Sequence, residues 1–242
     1  MNKNKDPRQM LVSGCKNFDI HLTEEQVDKF FAYYELLIEW NGKMNLTTIT
    51  ELEDVIVKHF IDSLSICKYV DIEDEDTIID VGTGAGFPGI PIKIVYPNVK
   101  ITLVDSLNKR VKFLDEVIKQ LKLKNIETIH ARVEDLAHDI DHRQSYDYCM
   151  SRAVANLAAL TEYCLPFIKV GGQLLALKGP SISEEIENSG EAIKILGGVL
   201  SNLEFFDIPY SDLKHNLVII DKELDTPLKF PRKTVKIKKS PL

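Results

Sequence analysis

Thr77–Gly89 reads TIIDVGTGAGFPG. Its first half, Ile78-Ile79-Asp80-Val81, is too short and too β-branched for a helix, and Gly82, Gly84 and Gly86 end it abruptly. Glycine at such a turn lets the backbone bend sharply and approach a ligand with no Cβ in the way. About twenty residues further on, a second run of the same kind, Ile101-Thr102-Leu103-Val104, ends in Asp105. An acid at the tip of a second strand suits the two hydroxyls of a ribose. Together the two runs describe a nucleoside-cofactor site.

The glycine spacing narrows the choice of nucleoside. A dinucleotide fingerprint is G-x-G-x-x-G, its last glycine allowing close helix–strand packing. Here the spacing is G-x-G-x-G, and Phe87 occupies the position that fingerprint gives to glycine or alanine. Phe87-Pro88 would also crowd a helix N-terminus that had to hold a pyrophosphate. S-adenosylmethionine carries no phosphate. It needs the clearance of glycine but no anion nest, so the pattern favours it over NAD.

Composition sets the outer limits. The chain has 242 residues, 44% of them apolar, enough for one large domain or a domain with an appendage. No apolar run approaches the ~20 residues that span a bilayer, and the N-terminal MNKNKDPRQM lacks the apolar stretch of a signal peptide. A cytoplasmic protein is expected. Cys15, Cys67, Cys149 and Cys164 form no C-x-x-C pair and the six histidines show no ligand spacing, so no metal is expected. Most of the histidines are expected on the surface or at caps. Charge is distributed unevenly. Lys229, Arg232, Lys233, Lys236, Lys238 and Lys239 stand in the last fourteen residues with no acid, so the rest of the chain carries −13 of a net −7. An acidic body with a basic tail suggests a polyanion gripped locally.

Around the glycine turn the chain alternates strands with helices, the pattern of a doubly wound sheet. Thr23-x-x-Gln26 fits a capping box, and Val27, Phe30, Phe31, Tyr34, Leu37 and Ile38 mark one face of a helix that Asn41-Gly42 is expected to stop. A second helical stretch runs from near Glu51 toward Tyr69, and an acidic link then leads to the glycine core. The division expected is a helical region over 1–72, a cofactor-binding domain over 73–224 and a basic tail over 225–242, packed on or near that domain. Within the tail, Thr234-Val235-Lys236-Ile237 alternates like an edge strand.

In open α/β sheets ligands bind beyond the carboxyl ends of the strands. Asp80, Asp105, Arg132, Glu134, Arg152 and Lys178 stand there: three acids, three cations, and no base–nucleophile pair. There is no nucleophile elbow, Walker lysine or H-E-x-x-H. The Asp/Asn-Pro-Pro-Tyr signature of enzymes that methylate exocyclic amines is replaced by Ser151-Arg152-Ala153-Val154. An amine needs an acceptor to align its lone pair. Guanine N7 needs none, because its in-plane pair is already free, and catalysis is then mainly positioning. Arg152 and Lys178 are candidates to orient guanine through O6 and hold flanking phosphates.

These blocks resemble a known family. Trp40-Asn41 with Asn45-Leu46-Thr47, His59 with Asp62-Ser63-Leu64, DVGTGAGFPGIP from Asp80, LVDSLNKRVKFL from Leu103, SRAVANL from Ser151 and LALKG from Leu175 are similar to the small-subunit rRNA methyltransferase G family, formerly glucose-inhibited division protein B. The resemblance implies a class I S-adenosylmethionine-dependent methyltransferase fold: a doubly wound, seven-stranded, mostly parallel sheet with an N-terminal helical extension. It implies methylation of guanine N7 in the decoding region of 16S rRNA or the small ribosomal subunit, by in-line transfer with no general base. Gly82, Phe87, Val133, Glu134 and Arg152 become cofactor contacts, to which the strand-end argument adds Gly84 and Asp105. Arg132 and Lys178 become the basic groups near the transfer site, beside Arg152 from the strand-end argument. A monomer is expected. The tail departs from the family where Val235 and Ile237 replace its usual glycine and proline. Two other readings stay open: a methyltransferase for a small molecule or protein side chain, which would need a closed apolar pocket, and a ribosome-assembly factor that keeps the fold as a platform.

Overall fold

A computed structural model of the chain describes residues 6–152 and 155–242. Ala153 and Val154 of the SRAVANL block, and the first five residues, lie outside the described residues. Seven strands form one sheet: β1 Thr77–Val81, β2 Lys100–Asp105, β3 Ile126–His130, β4 Tyr146–Arg152, β5 Ile168–Lys178, β6 Gly198–Asp207 and β7 Lys214–Lys222. Their order is β3-β2-β1-β4-β5-β7-β6. The first five run parallel, and β7 pairs antiparallel with both β5 and β6.

Adjacent residues along the inner strands belong to opposite faces, as the strand period requires. Ile78, Leu103, Leu175 and Ile219 join one buried cluster with the N-terminal helices. Ile79, Val104, Leu174 and Ile220 join another with the helix Leu157–Cys164 and with Phe230 and Ile237 of the tail. The connections β1→β2 and β2→β3, through helices Gly89–Val95 and Asn108–Gln120, pack on the first face, and that from β4 to β5 packs on the second. The winding therefore reverses between β1 and β4. That reversal opens a crevice at the carboxyl ends of the strands.

The N-terminal segment supplies one side of the crevice. Pro7–Lys16 is a helix capped by Asp6, which the periodicity did not announce. The next helix, Glu24–Met44, has the expected capping box, with Thr23 and Gln26 bonding reciprocally. It does not stop at Asn41-Gly42. Asn45 takes the left-handed conformation at its C-cap and bonds back to the Asn41 carbonyl, so the stop signal acts one turn later. A further helical stretch passes through Leu52–Val55, then a π-helical turn at Ile56–Ile61, Asp62–Leu64 and a 3-10 end at Ser65–Lys68.

The tail corrects the strand reading. Thr234–Lys239 is a helix, with Ile237 fully buried and Val235 80% exposed. Burial of one apolar side chain in the second core needs only a single helical face, and two alternating residues were too few to distinguish the periods. Arg232 anchors the approach: its backbone NH, Nε and Nη2 all bond to the fully buried Glu162.

Candidate active site

Folding of β1 against β2 shapes the glycine turn. The Gly82 and Thr83 amides both donate to the Val104 carbonyl, at 2.9 and 3.1 Å, which pulls the turn over the end of β2. Asp80 sits beneath it, wholly buried. Its Oδ2 accepts from Thr83 Oγ1 at 2.6 Å and from the Gly89 amide at 2.9 Å. Burial pushes this carboxyl up to about 6 against the pull of those two bonds. Its Oδ1 meets no partner among the described residues.

Gly84 has φ +64°, and a Cβ built there would lie 4.0 Å from its nearest neighbour, the Gly82 carbonyl oxygen. The position opens onto a cavity of about 560 Å³. Its amide donates to Asp105 Oδ2 at 3.0 Å, while Leu107 N and Arg110 Nη1 hold the same carboxylate at 2.8 and 3.1 Å. Gly86 serves packing instead. At φ +99° a Cβ would strike the Tyr33 hydroxyl and Ile90 at 2.7 and 2.6 Å.

The cavity draws its walls from the whole chain. Gly82, Gly84, Phe87 and Asp105 line it from β1 and β2, and Arg132, Val133 and Glu134 from the end of β3. Arg152 enters from β4, Leu46, Thr47 and His59 from the N-terminal segment, and Thr234 and Lys238 from the tail helix. Glu134 is buried, with Arg132 3.9 Å away and the Thr234 hydroxyl donating to its Oε1.

Arg152 is held rather than free. Nη1 donates to Asp62 Oδ2 at 2.8 Å and to the Lys58 carbonyl at 3.1 Å, and Nη2 faces His59 Nδ1 at 3.2 Å. The guanidinium lies 5.0 Å over the Phe87 ring, on which His59 also stacks at 4.5 Å. Asp62, 1% exposed, gives its other oxygen to His215 Nδ1 at 2.6 Å. Burial, reinforced by Arg152, lowers His59 to about 4, so the ring is neutral.

Eight of the nine candidate residues thus meet around one cavity. Lys178 does not. It donates to the Ala155 carbonyl at 2.6 Å and pairs with Glu185 at 2.7 Å in a neighbouring hollow with Asn156 and Ser181. His59, Thr47 and Thr234 are among the cavity residues that strand-end reasoning missed. The first two lay inside sequence blocks that resembled the family; Thr234 had no signal.

Residues 26–215 match the family profile described as rRNA small subunit methyltransferase G. A relative of that name from Acetivibrio thermocellus is 54% identical over 236 residues, spanning 97% of this chain and 96% of its own. The chain belongs to this family. A second relative of the same name, from Thermoanaerobacter pseudethanolicus, is 52% identical over 99% of this chain and 100% of its own. Among solved structures, TrmN from Thermus thermophilus superposes with TM-score 0.52 at 13% identity, covering 69% of this chain and 53% of that one. YcgJ from Bacillus subtilis gives 0.50 at 15%, covering 67% and 98%. These likenesses show the fold. The family members, by contrast, match from the N-terminal helices to the tail, so both outer walls of the cavity belong to what the family shares in length.

Proposed function

We propose that this member of the rRNA small subunit methyltransferase G family methylates N7 of a guanine in 16S rRNA with S-adenosylmethionine, in the cytoplasm. The observation that carries the reading is the intact glycine-turn cavity in a chain that matches such relatives along nearly its full length. The residues present suit the cofactor. Gly84 leaves space where any side chain would intrude, Asp105 and Glu134 offer acceptors to ribose hydroxyls, and Asp80 keeps an unpartnered buried oxygen below the turn. Gly82, Gly84, Phe87, Asp105, Val133, Glu134 and Arg152 would hold it. When bound, it supplies an electrophilic methyl on a sulfonium sulfur.

What remains is orientation of the acceptor. Ser151 is turned inward, donating to the Val81 carbonyl at 2.9 Å, and Asp62 is spent on Arg152 and His215. Among the described residues no carboxylate at the end of β4 is free to align an amine, and guanine N7 requires none. Arg132, 66% exposed at the rim, would meet RNA phosphates, whereas Lys178, buried on Glu185 and the Ala155 carbonyl, would shape the adjoining hollow. The segments 1–72, 73–224 and 225–242 all supply cavity wall and act as one unit.

Chemistry specific to 7-methylguanosine tests the reading. Borohydride reduction followed by aniline should cleave 16S rRNA at one guanosine in cells carrying the gene. Cleavage should vanish on deletion and return with the wild-type copy. Cleavage that persists in the deletion strain would overturn it.

A further inference from the structure

The N-terminal wall ends in a hydroxyl whose proton is left over. Thr47 is fixed at its amide, which donates to Asn41 Oδ1 at 2.9 Å. Its Oγ1 accepts from the Ile49 amide at 3.1 Å and lies 3.0 Å from His59 Nε2. The role of that imidazole follows from Arg152. A guanidinium can only donate, so Nδ1, 3.2 Å from Nη2, must accept, and the ring's one proton sits on Nε2. Nδ1 also lies 3.0 Å from the Lys58 carbonyl, but a proton there would face the charged Nη2 donor head-on, and the charge-assisted bond is the stronger of the two. His59 therefore donates to Thr47. Both lone pairs of Oγ1 are then engaged, and its own hydrogen has no acceptor among the described residues. Thr47 lines the cavity, beside the Phe87–His59 stack.

We infer that Thr47 is a specificity-determining residue whose hydroxyl, locked as a donor by His59, hydrogen-bonds O6 of the acceptor guanine. This inference rests on the guanine-N7 reading above. O6 is an acceptor next to N7 on the same edge of guanine, whereas adenine places an amino donor there. A locked donor at Thr47 would accept the first base and meet the second donor-to-donor. Arg152, whose Nη atoms are already committed to Asp62, Lys58 and His59, acts as a positioning residue for the imidazole. The chain Asp62–Arg152–His59–Thr47 thus gives a reason for the Asn45-Leu46-Thr47 and His59/Asp62 sequence blocks.

The test is a cycle between one side-chain atom and one base atom. Wild type and Thr47→Val are compared on small-subunit rRNA carrying either guanine or 2-aminopurine, which lacks O6 but keeps N7, at the methylated position. Wild type should lose about tenfold in kcat/KM on removal of O6 beyond the loss shown by Thr47→Val, the scale of one hydrogen bond. Any effect of O6 on N7 nucleophilicity cancels in that ratio. Thr47→Ser should restore the discrimination, and calorimetry should give all three proteins the same S-adenosylmethionine affinity. Equal sensitivity to O6 in wild type and Thr47→Val, with product still 7-methylguanosine, would overturn this inference alone. Label in a nucleoside other than 7-methylguanosine in wild type would overturn the functional reading and this inference with it.

Discussion

The two sides of the cavity are built differently. The cofactor side is local: Gly82, Gly84, Phe87 and Asp105 come from two neighbouring strand ends, and backbone amides position most of it. The opposite side is assembled at long range. Asp62 and His59 reach Arg152 from a segment some ninety residues earlier, Thr47 bonds to His59 from the far side, and His215 reaches Asp62 across 153 positions. A local side can be damaged with the fold intact. A long-range side built on a buried ion pair joins stability to activity, and this contrast can be measured.

The largest effect expected is on the long-range side. Asp62→Ala leaves Arg152 without its buried partner, and urea unfolding should show a loss of about 3–5 kcal/mol. A loss below about 1 kcal/mol would mean the pair behaves as an exposed one. On the local side, Gly84→Asp places a carboxylate in open cavity and forces a left-handed backbone on a side chain. Cofactor affinity by calorimetry should fall at least about 100-fold, while the strained backbone costs only about 1–3 kcal/mol of stability, less than Asp62→Ala. Equal damage to folding would erase the contrast.

How much of this could be read from the residues follows the same division. The β1 glycine turn, Asp105 and the alternation into a doubly wound sheet were legible, because each is a signal carried within a few positions. The long-range side was not. A histidine without ligand spacing gives no sign that a π-helical turn will lay it on Phe87. Asn41-Gly42 looked like a helix stop, yet the left-handed residue is Asn45, and Asn41 instead holds the Thr47 amide. The tail looked like a strand because Val235 and Ile237 alternate, while only Ile237 is buried.

A smaller effect sharpens the comparison through pH. His59 titrates near 4 in the fold against an ordinary value of 6.5. The unfolded chain therefore binds the proton first, and stability from this group falls as pH drops through 6.5 toward 4. Between pH 7.5 and 5, wild type should lose about 2 kcal/mol that His59→Gln keeps, measured as the difference between their urea curves. Parallel curves would place the imidazole in solvent.

The smallest effect belongs to the tail. Lys236 and Lys239 are exposed with no ion pair among the described residues, unlike Arg232 and Lys233, which bind Glu162 and Asp135. Changing both to glutamine should weaken rRNA binding a few-fold and lower its salt slope by about 1–2, leaving cofactor affinity as it was. An unchanged slope would make the tail a packing element only.

The central claim is that the local side delivers a methyl group to a base held by the long-range side. Its most direct test is transfer from labelled S-adenosylmethionine to small-subunit rRNA of a strain lacking the gene, followed by nucleoside analysis. All label should appear in 7-methylguanosine with wild type, and none with Gly84→Asp. Label in any other nucleoside, or transfer that survives Gly84→Asp, would contradict the account.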